Sequence, residues 1–414
     1  MKYSAFWVVI TLMIPAFTVS CTKDAEENTK AIVLNTRTMQ PEEATLVVSA
    51  NRFCFDYFKN LSKQEPETNI TFSPFSAHAA LSMLINGADG VTRQEIKDAL
   101  RIPAQSDSSV NNSYKSLKNY LYTVDPTVNI KIANSVWWRK ELHVKSAFAE
   151  TLKNYYEAEL NPLDFADSKS VQTINNWVNT QTAGRIPTIL SSLAPEDVMV
   201  LLNAVWFKAA WTEKFDKNLT AKRPFTLDNG TVIQVDMMKS IQTNALIYSD
   251  NEVDFADIPF AGGAYTFSVV MPHDSRTLDE FVGAITEEKF NNWAKYAEKS
   301  ASRTLQMPRF RFAYEHDMKD LLKEMGMKRA FGGGAELGRL FEESLDLFVS
   351  KAKQKTFVQI DEEGGEAAAV TSIVVGVTSV GPGTFDVDRP FLFVIREKSS
   401  QSILFIGKVH QPAY

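Results

Sequence analysis

Apolar side chains at Leu46, Val47, Ala50, Phe53, Cys54, Tyr57, Phe58 and Leu61 recur at three- and four-residue intervals, the spacing that lines one face of a helix. A second helix is predicted over Phe75–Ile85. Pro74 can open it, because its missing N–H would be unpaired there anyway, and Gly87 can close it. Thr92 with Glu95 three residues on predicts a capping box for a short helix ending near Leu100. Val171, Ile174, Trp177 and Val178 place one apolar stripe on a helix over Ser168–Thr182, with Gly184 as its stop. Then the period changes. Val198–Phe207 is an apolar run interrupted by Asn203, as expected of a strand covered on both faces. Asp228-Asn229-Gly230 signals a hairpin turn, Tyr265–Met271 a strand, and Leu392–Ile395 with Ile403–Gly407 a closing pair. The pattern predicts an α+β fold with helices mostly early and sheet mostly late.

The first residues follow another logic. Lys2, the apolar stretch Ala5–Phe17 and small Val19-Ser20 before Cys21 make an export signal, too briefly apolar for a membrane-spanning helix. The arrangement resembles a bacterial lipoprotein signal, with Cys21 as the lipidated first residue of the mature chain. Thr18 departs from the usual aliphatic residue at that place, and ordinary cleavage nearby is the alternative. Thr22–Lys30 is polar and reads as a tether. The expected organisation is a signal over residues 1–20, a flexible tether over 21–41 and one domain over 42–414, since no further low-complexity linker or repeat follows. The expected location is outside the cytoplasm, held by lipid in the bacterial envelope, with Lys23-Asp24 pointing to surface display.

Composition excludes more than it suggests. A formal net charge of −6 offers no basic excess for phosphates, so no nucleic-acid partner is expected. Cys54 falls within the first helix's apolar face and reads as a buried structural thiol, leaving no intrachain disulfide once Cys21 is lipidated. His78, His143, His273, His316 and His410 are scattered without zinc-ligand spacing, and Gly332-Gly333-Gly334 lacks the Gly-Lys-Ser/Thr of a phosphate loop. No G-x-S-x-G elbow occurs, although a dispersed Ser/His/Asp triad stays open at this level. No metal, no cofactor and no enzymatic activity are expected.

One segment contradicts itself locally. In Asp361-Glu362-Glu363-Gly364-Gly365-Glu366-Ala367-Ala368-Ala369-Val370-Thr371-Ser372 and on through Val377 to Gly381-Pro382-Gly383, alanines favour helix, glycines turn and valines strand. Such conflict marks function, or else a turn followed by an ordinary buried strand. Its flanks are Lys355–Ile360 upstream, and Asp388-Arg389-Pro390-Phe391 with Ile403-Leu404-Phe405-Ile406-Gly407-Lys408 downstream. Together these residues resemble the C-terminal region of the serpins. The resemblance extends to Asn69–Gly87, to Asn175–Leu190, to Leu202-Asn203-Ala204-Val205-Trp206-Phe207-Lys208 through Trp211, and to Met307-Pro308-Arg309-Phe310 with Met325-Gly326-Met327.

That resemblance implies a metastable fold of three sheets and about nine helices with an exposed reactive loop near 362–387. A serine protease, or a cysteine protease, attacks the loop and forms an acyl-enzyme. The freed loop then enters the central sheet as a new strand and traps the protease. The hinge is Glu362, Gly364, Gly365, Glu366, Ala367, Ala368 and Ala369, with Gly365 standing where inhibitors usually carry Thr or Ser. Counting from Glu362 puts the reactive bond at Thr378-Ser379, between Val377 and Val380; counting back from Pro390 puts it one residue later. A small residue there favours elastase-like or subtilisin-like proteases and disfavours trypsin-like ones. Ser73, Ser76 and Asn203 match a polar cluster beneath the sheet, with Gln354 where many members have histidine. Trp211 and an Arg309–Glu362 ion pair match the point where the sheet opens. The implied inhibitor is a monomer. The competing reading is a non-inhibitory serpin acting as a carrier, chaperone or surface binding protein.

Overall fold

The computed structural model describes Met1 and residues 32–103, 105–240, 243–273, 276–299, 304–343, 347–365 and 383–414. Cys21, Glu366, Ala367, Ala368, Ala369, Val377, Thr378, Ser379 and Val380 lie outside the described residues. Among the described residues the helices are α1 (Pro41–Gln64), α2 (Pro74–Ile85), α3 (Gly90–Ala99), α4 (Asp107–Thr123), α5 (Ser146–Thr151), α6 (Lys169–Gln181), α7 (Leu278–Ala284), α8 (Glu287–Tyr296) and α9 (Lys319–Glu324). The strands, also numbered along the chain, form three sheets. A seven-stranded sheet has the order β1 (Ile70–Phe72), β17 (Ile403–Val409), β16 (Phe391–Glu397), β9 (Tyr265–Pro272), β8 (Val253–Phe260), β7 (Leu246–Ser249), β10 (Glu298–Lys299). A four-stranded sheet runs β15 (Thr384–Asp386), β11 (Thr304–Pro308), β6 (Val232–Lys239), β5 (Ala221–Thr226). The six-stranded central sheet runs β12 (Phe310–Asp317), β13 (Lys351–Asp361), β14 (Gly364–Gly365), β4 (Met199–Ala210), β2 (Asn129–Arg139), β3 (Glu159–Leu163).

Burial of β4 on both faces follows from what covers it. Val200, Leu202 and Ala204 pack with Ile174 and Val178 of α6 on the outer side. Met199, Leu201, Val205 and Phe207 alternate with them and enter the main core between the central and seven-stranded sheets. Asn203 has the parity of Leu201 and Val205, so its amide is forced into that core. Beneath it lies α2, every residue of which is buried. Pro74 does open α2 at its first turn. Gly87 serves packing more than turning, since a Cβ there would overlap the Leu340 side chain.

Two expectations are corrected. Thr92 and Glu95 do not cap α3, whose N-cap is Asp89. The Thr92 hydroxyl accepts from the Glu336 N–H (2.9 Å), and the Glu95 carboxylate accepts from Lys328 and Arg329 N–H (2.9 and 2.7 Å). The pair pins a distant loop onto α3. The folded unit also begins before residue 42: it spans Val33–Tyr414, Asn35 N–H donating to the Val124 carbonyl (2.8 Å). Leu34 and Met39 pack against the core, and Arg37 pairs with Glu43 at 2.6 Å. Cys54 is fully buried, and burial pushes its thiol pKa well up, as suits an inert core residue.

Candidate functional site: the hinge and the closed central sheet

Along one half of the central sheet β13 and β4 are direct parallel partners, from Lys351 opposite Val200 to Thr356 opposite Val205. No strand intervenes there. Beyond that point the two strands separate, and β14 is wedged between them, Gly365 facing Ile360 and Ala209, Gly364 facing Asp361 and Ala210. The two glycines differ in what they need. Gly364 has φ +144° and a Cβ there would overlap the Ala209 carbonyl oxygen, so only glycine fits. At Gly365 a Cβ would meet the Phe207 and Phe260 rings at 3.5–3.7 Å, an ordinary contact on the core side.

The turn from β13 into β14 is bonded to both halves of the sheet. Trp211 follows β4, stacks on Phe260 at 4.5 Å, donates its indole N–H to the Asp361 carbonyl (2.8 Å) and its backbone N–H to the Glu363 carbonyl (2.9 Å). Phe215 N–H donates to the Glu362 carbonyl (3.0 Å). The Glu362 carboxylate, nearly buried, accepts from the Thr220 hydroxyl (2.6 Å) and faces Arg309 at 3.6 Å. Arg309 lies closer to Asp236, at 3.1 Å, so the ion pair expected from the sequence is one arm of a triad. Lys214 and Lys217 hold Glu363 at 2.5 and 2.7 Å and keep its carboxyl below the usual range.

At the middle of the closed stretch, a polar rung crosses the core face of the sheet. Gln354 lies opposite Asn203, and Asn203 opposite Asn134. Gln354 Nε2 donates to Asn203 Oδ1 (2.7 Å), and Asn203 Nδ2 donates to Asn134 Oδ1 (2.7 Å) and to Ser76 Oγ (2.5 Å). Gln354 also exchanges two bonds with the Ser73 backbone, each 2.9 Å, while Ser73 Oγ donates to the Leu404 carbonyl (2.6 Å). One rung further, Thr356 Oγ1 reaches the Thr71 carbonyl at 2.8 Å. All these side chains are buried, so each bond replaces water that has been excluded.

Ser73, Ser76, Asn203 and Gln354 therefore meet at one place, and Trp211, Arg309, Glu362, Gly364 and Gly365 at another, both on the β13–β4 seam. Sequence reasoning missed Asn134, Thr356, Asp361, Thr220 and the Lys214/Lys217 pair. Asn134 interrupts the β2 strand with a polar side chain beside Ser135, a faint signal next to that of Asn203 in its apolar run.

The serpin (serine protease inhibitor) family model matches residues 48–412. The leukocyte elastase inhibitor of Sus scrofa is 32% identical over 378 residues, 89% of this chain and 99% of that protein. The native state of the thermophilic serpin tengpin superposes with a TM-score of 0.82 at 29% identity, covering 91% of this chain and 96% of that one. Human thyroxine-binding globulin in complex with its ligand gives 0.83 at 28% identity over 90% of this chain and 100% of the other. With three sheets of matching topology, the Gly364-Gly365 strand seated on the seam and a family match over most of its length, the chain belongs to the serpins.

Proposed function

We propose that this serpin is a suicide-substrate inhibitor of endopeptidases whose cleaved loop enters the β13–β4 seam. The observation that carries the reading is β14: the strand to be added already has its first two residues seated in register, while the far half of the seam, Lys351–Thr356 against Val200–Val205, is closed by direct pairing. Continuing that register brings Ala367 opposite Val358 and Phe207, Ala369 opposite Thr356 and Val205, Thr371 opposite Gln354 and Asn203, and Ile373 opposite Ala352 and Leu201. Small residues would thus pass the aromatic end of the seam first. The polar Thr371 would arrive where the Gln354–Asn203 bond has parted and offer a hydroxyl to both amides. Ile373 and Val375 would point into the core, each adding roughly 1.5–3 kcal/mol of apolar burial. Insertion is downhill on these terms, and Gly365 presents no obstacle to it.

The proposed reactive bond is Thr378-Ser379, and the proposed targets are elastase-like or subtilisin-like serine proteases, because a small residue suits a shallow specificity pocket. The similarity to a leukocyte elastase inhibitor is in keeping with that preference. Export, lipid attachment at Cys21 and action as a monomer complete the proposal. The test mixes the protein, freed of residues 1–32, with an elastase-like, a subtilisin-like and a trypsin-like protease. Denaturing gels are run and the released C-terminal peptide is weighed. A denaturant-resistant complex with one of the first two, and a peptide beginning at or beside Ser379, supports the proposal. Preferential trapping of trypsin overturns the specificity, and clean cleavage without complex overturns inhibition in favour of a carrier or binding role.

A further inference from the structure

The β13–β14 turn is also held by a residue far from it in sequence. Arg311 N–H donates to the Ala413 carbonyl (2.8 Å), which lays that segment beside β12 at the edge of the central sheet. The Tyr414 ring then lies against two guanidinium groups, 4.5 Å from Arg309 and 5.3 Å from Arg311. Its hydroxyl donates to Asp361 Oδ2 (3.1 Å), and Gln359 Nε2 donates both to that oxygen (2.9 Å) and to the phenol oxygen (3.2 Å). The other carboxylate oxygen, Oδ1, accepts the Glu363 N–H (3.0 Å), while the Asp361 carbonyl takes the Trp211 indole. Asp361 is therefore the node of the turn, and Tyr414 fixes the plane of its carboxylate from outside the hinge.

We infer that Tyr414 is a positioning residue for loop insertion: by orienting Asp361 it keeps the Glu362–Gly365 hinge seated between β13 and β4 and so sets how often that end of the seam opens. The inference rests on the inhibitory reading for its biological meaning, but its physical content is independent. The geometry separates the two contributions of the residue. The ring stack survives in Tyr414→Phe, whereas the bond to Asp361 is lost.

Hydrogen exchange on the full folded domain measures this directly. Loss of one hydrogen bond from the half-exposed Tyr414 phenol to the buried Asp361 carboxylate should speed exchange at the Trp211, Phe215 and Glu363 amides by about threefold to tenfold. Amides of β16 and β17 should be unchanged, and Tyr414→Ala, which also loses the stack, should exceed Tyr414→Phe at the same hinge sites. Unaltered exchange at the hinge in Tyr414→Phe overturns the inference. So does acceleration spread evenly over the domain, which would make the residue merely stabilising. Complex formation by the unsubstituted protein, assayed alongside, decides the inhibitory reading alone. If the protein is cleaved without trapping its protease, the exchange rates still decide the role of Tyr414.

Discussion

Replacing Gly365 with arginine should turn the protein from inhibitor to substrate. The first side-chain atom at this position would meet Phe207 and Phe260 at 3.5–3.7 Å, facing the core between two sheets. A guanidinium carried further in that direction would be desolvated among aromatic rings without a carboxylate partner, a penalty of several kcal/mol. Gly365 is already paired with Ile360 and Ala209 before cleavage, so the variant would lift β14 out of the seam to keep its charge in water, and insertion must then bury that charge; each ~1.4 kcal/mol so added to the insertion barrier slows insertion tenfold. A cost of about 3–4 kcal/mol thus slows it by about a hundred- to a thousandfold, enough for water to release the acyl-enzyme first. Titrating a susceptible protease and reading complex against cleaved inhibitor on denaturing gels gives the partition. Gly365→Thr is the control: its Cβ fits at ordinary contact distance and it removes a strand glycine worth about 0.5–1 kcal/mol, so trapping should be kept. Gly364→Ala should fail, because φ +144° and the Ala209 carbonyl exclude a Cβ. Wild-type stoichiometry of trapping by Gly365→Arg would refute the reasoning.

Asn203→Ala leaves Gln354 Nε2, Ser76 and Asn134 each short of a buried partner, so it should lower stability by about 2–4 kcal/mol and shift the urea midpoint down, whereas a surface control should not. Arg309→Ala withdraws the cation shared by Asp236 and Glu362 and should bring polymers or an inactive loop-inserted form on mild heating; a variant that stays monomeric and active on native gels contradicts the triad's role. His78 is wholly buried, bonded through Nε2 to the Leu100 carbonyl (2.7 Å) and through Nδ1 to the Tyr114 hydroxyl, and burial lowers its pKa from 6.5 to about 4. Because the unfolded chain takes up a proton that the fold refuses, this site costs stability as pH falls from 6.5 towards 4, by ~1.4 kcal/mol per pH unit. Denaturant midpoints of His78→Gln should fall less than those of the parent between pH 7 and pH 5; parallel curves would contradict the assignment.

The elements legible in the sequence were those with a strong local signature. The α1 face from Leu46 to Leu61, Pro74 opening α2, Gly230 at φ +80° in the Asp228-Asn229-Gly230 turn, and β16 with β17 all stand where periodicity and turn chemistry put them. Capping was less legible. Thr92-x-x-Glu95 fits a motif, yet both side chains are claimed by a loop more than two hundred residues away. A folded start at Val33 was missed for a related reason: 33–40 has no period of its own and is ordered through Asn35, Arg37 and the apolar contacts of Leu34 and Met39.

By itself the sequence determined the order of helices and strands, a Gly364-Gly365 pair small enough to sit between two strands, and the polar residues Asn203 and Gln354 that had to find partners if buried. Only the tertiary structure decided what those partners were. Asn134, Ser76 and Ser73 reach the same rung because three strands in one register lie over α2, a coincidence of elements that no local pattern encodes. It likewise decided that Arg309 answers to Asp236 as well as Glu362, and that Tyr414 touches Asp361. Long-range contacts of this kind depend on strand register and sheet order, which arise from burial of the whole core rather than from the propensity of any one segment.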